Sequence, residues 1–460
     1  MRFSFSRLVA LAIGLSASTA AAADPPVRLS LPVEKYKLAN GLEVILHEDH
    51  RTPVVAINVW YHVGSKDEAQ GKNGFAHLFE HVMFQGSRHV PEDTFFKFLE
   101  RAGASERNGT TNTDRTNYFE TIPSNQLEVG LWLESDRMAF LLDHADEKTF
   151  ASQREVVKNE RRQNYENAPY GLVYPMIRAA MYPKEHPYHL VTIGTPEDLD
   201  GASMDDVRAF FRTHYVPNNA TLVLAGDLDK TKTKELVEKW FGPIVRGGDP
   251  QTKKAPMPVE LAGEKVLKIE ADVELARVSM SWPSPPELTE GDGQLDVLSH
   301  VLSSGKSSRL YKRLVYDLQI AQDVAAHQSS ALLSSQFEVV VTLKKGKSTD
   351  EVMKIVDEEL AKVRSAPPSD AEVERAKAQL LADLVFANER VTARANALNH
   401  YNQSTGDPDF IGKDLARYQA VKPADVQRAA TAFLPEKKRV VAIVTPTAGA
   451  PRAGRLVETK

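Results

Sequence analysis

His77, Glu80 and His81 fall within five residues of one another in the run Phe75-Ala76-His77-Leu78-Phe79-Glu80-His81-Val82. The surrounding periodicity predicts a helix over 74–85, and at 3.6 residues per turn positions 77 and 81 stack on one face. Two imidazoles so placed can each give one nitrogen to a single Zn²⁺ at about 2.0–2.1 Å, leaving room for a third protein ligand and a water. Glu80, one residue from a ligand, can reach that water without binding the metal. This is the geometry of a general base for hydrolysis beside an ion that lowers the pKa of its water toward about 7. Chance would produce His-x-x-Glu-His roughly 0.02–0.03 times in a chain of this composition, so coincidence explains it poorly.

An open catalytic zinc site takes three protein ligands. The strongly helical stretch Arg154 to Arg162 offers Glu155 and Glu160, and composition does not choose between them. His47, His50, His62 and His89 lack a ligand spacing and read as surface or hydrogen-bonded side chains. The stretch Ser303 to Arg309 lacks the glycine spacing of a phosphate loop and reads as a helix end and a turn.

Elements must hold these residues in place. The chain has 460 residues and is 42% hydrophobic, enough for two to three domains. Asn40-Gly41 between two alternating runs signals a hairpin, and a second strand covers 54–63. Helices are expected at 92–102, 124–142, 147–166 and 203–214, followed by a buried strand at 221–225. Gly242 to Gly263 carries four prolines and four glycines, the composition of a surface linker. Strands at 266–282, a helix at 292–304 and a last strand at 440–444 follow.

His77 to Val82 with Gly86 is matched by Asp296 to Val301 with Gly305 at equal spacing, which suggests an internal duplication. The fold class read from this pattern is α+β, two tandem homologous α/β-sandwich domains of about 200 residues each. Their expected bounds are a zinc-binding domain at 24–245, a linker at 246–265, a non-catalytic homologous domain at 266–445 and a flexible tail at 446–460.

Composition excludes other chemistry. Lys and Arg number 57 against 62 Asp and Glu, with a net charge of -5; that is no footprint for nucleic acid. Cysteine is absent, which rules out disulfides, thiolate ligands and a cysteine nucleophile. Arg2 and Arg7, the apolar stretch Leu8 to Leu15 and the small residues ending at Ala23 read as a secretory signal peptide cleaved before Asp24. The expected location is periplasmic or secreted, with no stable membrane insertion.

The inverted motif His77 to His81 resembles that of the inverzincins. Together with Asn112 to Tyr118, Glu160-Arg161-Arg162, His186-Pro187-Tyr188 and Tyr215 to Asp227, it resembles the pitrilysin and mitochondrial processing peptidase family over nearly the whole chain. That resemblance implies His77, His81 and Glu160 as zinc ligands, one ion per chain, and Glu80 as the base. It implies that an extended peptide lies along Gly109 to Thr113, with Asn112 holding substrate backbone and Thr111 and Thr113 beside it, an addition of a strand to a sheet edge. The family often places a supporting Glu seven residues before the third ligand; here that position is Gln153, which removes a charge behind the metal site.

Self-sufficient members also supply an Arg and, seven residues on, a Tyr from the second half. With Gln319-Ile320-Ala321 as the anchor, those positions hold Val315 and Gln322; Arg313 and Tyr316 have the wrong spacing. The resemblance then implies a divided enzyme, in which this zinc-bearing subunit pairs with a homologous zinc-less subunit as a heterodimer in preference to a homodimer. The function expected is a zinc-dependent endopeptidase acting on unfolded peptides or short segments. The competing reading is a non-catalytic structural subunit of a processing-peptidase-like complex.

Overall fold

The Asn40-Gly41 turn, with Gly41 at a positive φ of 94°, joins β1 (Glu34–Lys37) to β2 (Glu43–Glu48). This opens a computed structural model that describes residues 28–249 and 255–459; the expected signal peptide at 1–23 lies outside them. The first half continues with β3 (Val54–Tyr61), α1 (Phe75–Val82), α2 (Phe95–Arg101), β4 (Ser105–Thr111), β5 (Thr116–Pro123), α3 (Leu127–Phe140) and α4 (Glu147–Arg161). Then come α5 (Val173–Met181), α6 (Pro196–Asp200), α7 (Met204–His214), β6 (Ala220–Gly226) and α8 (Lys230–Phe241). The second half holds β7 (Lys265–Ala271), β8 (Arg277–Ser284), α9 (Asp292–Ser303), β9 (Ala321–Ser329), β10 (Ser335–Leu343) and α10 (Thr349–Ser365). It closes with α11 (Asp370–Ala387), α12 (Val391–Thr405), α13 (Ile411–Gln419), α14 (Pro423–Phe433), β11 (Val440–Pro446) and β12 (Arg455–Thr459).

Each half forms one six-stranded sheet, ordered β1-β2-β6-β3-β5-β4 and β12-β7-β11-β8-β10-β9. Pairing alternates identically: one parallel contact, β2 with β6 and β7 with β11, among antiparallel neighbours. The fold is therefore α+β with two equivalent sheets. The outer strand beside β2 precedes it in the chain, whereas the strand in the equivalent place beside β7 comes from the far C-terminus. The flexible tail expected at 446–460 is thus, in its described part, a strand-bearing segment, and the strand at 440–446 is not the last. Leu456 and Val457 supply β-forming residues, β12 pairs antiparallel with the otherwise open edge of β7, and an uncovered edge is a liability that folds close off. The carbonyls of Arg452 and Ala453 also accept from the backbone N–H of Tyr170 and Leu172.

Strands β3 and β6 are buried along nearly their whole length, because helices cover both faces of the sheet. One face meets α1, α3 and α7 of the same half. The other meets α12 of the second half, through Ala395, Leu398 and Tyr401. The exchange is reciprocal: α5 of the first half packs Val173, Ile177 and Met181 on Leu267, Ile269, Val440 and Ala442 of the second sheet. Each half is completed by a helix from the other. Among the described residues no helix is long and apolar enough to cross a membrane.

Candidate metal centre

Helix α1 is amphipathic in the way that presents the motif. Phe75, Ala76, Leu78, Phe79 and Val82 are buried, while His77, Glu80 and His81 share the remaining face against α4 and β4. Its start is set by Gly74, at φ 97°, where a Cβ would come within 2.8 Å of the Ile193 carbonyl. The Glu68 carboxyl group then accepts the backbone N–H of Gly74 at 3.1 Å and of Ala76 at 2.9 Å, satisfying donors that a helix N-terminus leaves unpaired. Burial pushes the Glu68 carboxyl up to about 8.

Helix α4 begins where Asp146 accepts from Thr149 N. Phe150, Gln153 and Val157 form its buried stripe, and Glu160 continues that stripe one turn on. Glu155 points to solvent and pairs with Lys158 at 3.0 Å. The choice that composition left open between Glu155 and Glu160 is a choice between two helix faces, and the spacing 150, 153, 157, 160 was its signal.

The two helices bring His77, His81 and Glu160 together: one donor atom from each lies within 4.8 Å of the others. Glu160 Oε2 is 3.2 Å from His77 Nε2 and 3.3 Å from His81 Nε2. Arms of about 2.0–2.1 Å opened at a tetrahedral angle separate ligand atoms by roughly 3.3 Å, so this set of two imidazoles and a carboxylate fits a zinc-sized cation. Burial pulls His77 down, but hydrogen bonds to Glu160 and Glu80 outweigh it and raise the imidazole to about 9; the same histidines hold Glu160 well below the usual carboxylate range.

Glu80 does not join the three. Its Oε2 lies 3.5 Å from His77 Nδ1 and accepts the Thr111 hydroxyl at 2.7 Å. Behind it sits Gly109, where a Cβ would be 2.9 Å from Glu80 Cγ and 3.1 Å from Phe84. A side chain at position 109 would displace the carboxylate. Glu68, Gly109 and the hydroxyl of Thr111 are the positioning groups that sequence reasoning missed; none carries a spacing signal, since all three act through contacts made across the fold.

The residues expected to line the substrate also make contacts within the fold. Strand β4 is an edge strand, but Thr111 spends its hydroxyl on Glu80. Asn112 closes the β4–β5 turn: its Oδ1 accepts from Asp114 N and Arg115 N, its own N–H reaches Arg115 O, and its carbonyl accepts from Ser65 N. The Thr113 carbonyl accepts from Lys66 N at 3.0 Å. Gln153 is buried two turns before Glu160 on the same face of α4.

The second half keeps the frame of this centre but not its full donor set. Asp296, Ser299 and His300 on α9 occupy the positions of His77, Glu80 and His81, and Gln379 on α11 follows His300 by 79 residues, as Glu160 follows His81. His300 interacts with Gln379, while Ser299 turns its hydroxyl back to the Asp296 carbonyl. Near the expected Arg and Tyr positions, Gln319 adopts φ 51°, the left-handed conformation natural to a glycine. Arg313 is committed to Glu359 at 2.8 Å and to Glu358, and Tyr316 is largely exposed.

Comparisons with known proteins point to one family. Residues 43–194 match the pattern described as "Insulinase (Peptidase family M16)", and residues 201–380 that described as "Peptidase M16 inactive domain". The zinc protease PqqE of Helicobacter pylori is 28% identical, with 90% of this chain and 93% of that protein covered. A probable mitochondrial-processing peptidase subunit beta of Arabidopsis thaliana is 23% identical, with 89% and 77% covered. The crystal structure of a protease from Helicobacter pylori superposes with a TM-score of 0.82 at 26% identity, covering 90% of this chain and all of that one. With both halves matched in order and the inverted motif inside the first, this chain belongs to peptidase family M16.

Proposed function

We propose that the chain is a zinc-dependent endopeptidase that cleaves unfolded peptides, with His77, His81 and Glu160 holding one Zn²⁺ and Glu80 as general base. The observation that carries this reading is the convergence of three donor atoms within 4.8 Å beside a fourth, separately held carboxylate. Bound there, the ion would supply Lewis-acid polarisation of a peptide carbonyl and acidify water. Glu80 accepts the proton of the attacking water and returns it to the leaving amine. Thr111 keeps the Glu80 carboxylate turned toward that task. The edge of β4 receives the substrate main chain as an added strand. Relatives named as zinc proteases support the metal, and those named mitochondrial-processing peptidase subunit beta support a divided assembly.

The reading includes export with cleavage after Ala23 and a homologous zinc-less partner that contributes the Arg and Tyr replaced here by Val315 and Gln322. Those two replacements also favour the second reading, a non-catalytic assembly subunit. The deciding experiment is hydrolysis of an unstructured peptide by the purified chain, alone and with such a partner, with chelator and Glu80→Gln controls. Chelator-sensitive cleavage that depends on Glu80 and rises with the partner is expected. Full activity of the chain as a homodimer would overturn the partner requirement, and a rate unchanged in Glu80→Gln would overturn the mechanism.

A further inference from the structure

Arg178 on α5 is 7% exposed, and its guanidinium is only partly satisfied. Nη1 donates to the Tyr174 hydroxyl at 2.9 Å, whereas Nε and Nη2 have no hydrogen-bond partner among the described residues. Those two nitrogens form one edge of the planar fork, the edge that receives both oxygens of a carboxylate in parallel. A buried cation with that edge unfilled is costly. The rings of Tyr174, Tyr182 and Tyr188 surround it at 5.5–5.6 Å from their centroids and soften the cost without filling the fork.

The side chain lines a cavity of about 260 Å³ walled by both halves of the chain: Asn112, Thr113 and Tyr165 on one side, Ser329 and Gln336 on the other. Here two equivalent hairpin turns meet tip to tip. Leu332 N donates to Asp114 Oδ2 at 3.1 Å, and Tyr188, which donates to Asp114 Oδ1 at 2.6 Å, accepts from Leu333 N. Asp114 is thereby spent on Tyr188 and Leu332. The cavity begins one residue beyond Thr111, whose hydroxyl holds Glu80, and Tyr165 lies five residues past Glu160. A peptide lying along β4 and past its end would therefore reach Arg178 a short distance from the metal centre, since a strand advances about 3.3 Å per residue.

From this geometry we infer that Arg178 is a carboxylate-recognition subsite for the peptide bound at the β4 edge. The inference deepens the peptidase reading and rests on it for the identity of the ligand as a peptide. The volume admits a single acidic side chain or a chain terminus and no folded segment. Both sources present the same two oxygens, so the subsite selects a carboxylate at a fixed distance from the scissile bond.

The test measures binding, which separates it from turnover. In the full-length Glu80→Gln chain loaded with Zn²⁺, labelled eight-residue peptides carry one Glu or its Gln counterpart at each position in turn, and each peptide is made with a C-terminal acid or amide. The expected result is a preference of about tenfold in Kd for Glu over Gln at one position, which identifies a side chain, or for acid over amide, which identifies the terminus. In Arg178→Gln that preference falls to within about twofold while the neutral amide peptide binds as before. Arg178→Lys, which keeps the charge and the packing but not the fork, loses most of it too. If Arg178→Gln does not fold, Arg178→Lys carries the comparison. Absence of any carboxylate preference, or a preference that survives both variants, overturns the subsite. If the chain with Glu80 intact cleaves none of these peptides yet the preference depends on Arg178, the peptidase reading fails and the subsite stands.

Discussion

The Thr111 hydroxyl donates to Glu80 Oε2 at 2.7 Å, so the edge strand proposed to receive substrate also orients the carboxylate proposed as base. A base is effective only within hydrogen-bond reach of the proton it takes. Thr111→Val keeps the shape and removes the donor; kcat should fall about tenfold with zinc content unchanged. Glu80→Gln should lower kcat by about 10²–10⁴, also with zinc retained. Metal analysis of the purified variants beside their rates checks both, and loss of metal in either would move Glu80 or Thr111 into the ligand set.

Gly109 gives a steric version of the same claim. A methyl group there would stand 2.9 Å from Glu80 Cγ and 3.2 Å from the Tyr118 ring. Gly109→Ala should therefore lose activity by about tenfold or more while the chelator-sensitive part of the melting transition persists. The backbone at this position is ordinary extended strand, so the effect would come from the displaced carboxylate.

Glu68 links the helix start to pH. Its carboxyl is raised by burial to about 8, above its value in an unfolded chain. Its contribution to stability is accordingly complete below the unfolded pKa of about 4.5 and is lost as pH rises through about 8. Melting temperature should decline between those values more steeply in the native chain than in Glu68→Gln, which cannot ionise. Glu68→Ala leaves the Gly74 and Ala76 donors buried and unpaired and should destabilise by about 1–3 kcal/mol, weakening metal binding because α1 carries two of the three donors.

Metal removal tests the donor set without reference to turnover. An ion that binds only the folded chain stabilises it by about 2.7 kcal/mol at a hundredfold excess over Kd. Chelation should lower the melting temperature of the native chain. It should leave His77→Ala, His81→Ala and Glu160→Ala unmoved, because their metal is already lost. Glu155→Ala, altered on the solvent face of the same helix, should behave as the native chain does.

Much of this was legible before any coordinates. Periodicity located α1, α3, α4, α7 and the buried β6, because a residue's place on a helix face or a strand is decided by near neighbours in the chain. The two copies of a ten-residue pattern announced the duplication, and five strands of each sheet, paired in the same order, carry it out. The spacing of His77, Glu80 and His81 fits one helical turn, which is a local property.

What the tertiary structure decided is everything that depends on distant segments meeting. Glu160 and His77 are 83 residues apart and meet only because α4 packs on α1. Strand β12 escaped sequence reasoning because its partner β7 lies almost two hundred residues earlier, and a short polar segment becomes a strand only when an edge is waiting for it. The exchange of α5 and α12 between the halves leaves no trace in periodicity, since a helix is amphipathic in the same way whichever sheet it covers. The buried, unpartnered edge of the Arg178 guanidinium has the same origin: one helix supplies the cation, two hairpin turns wall the cavity around it, and no stretch of sequence contains all three.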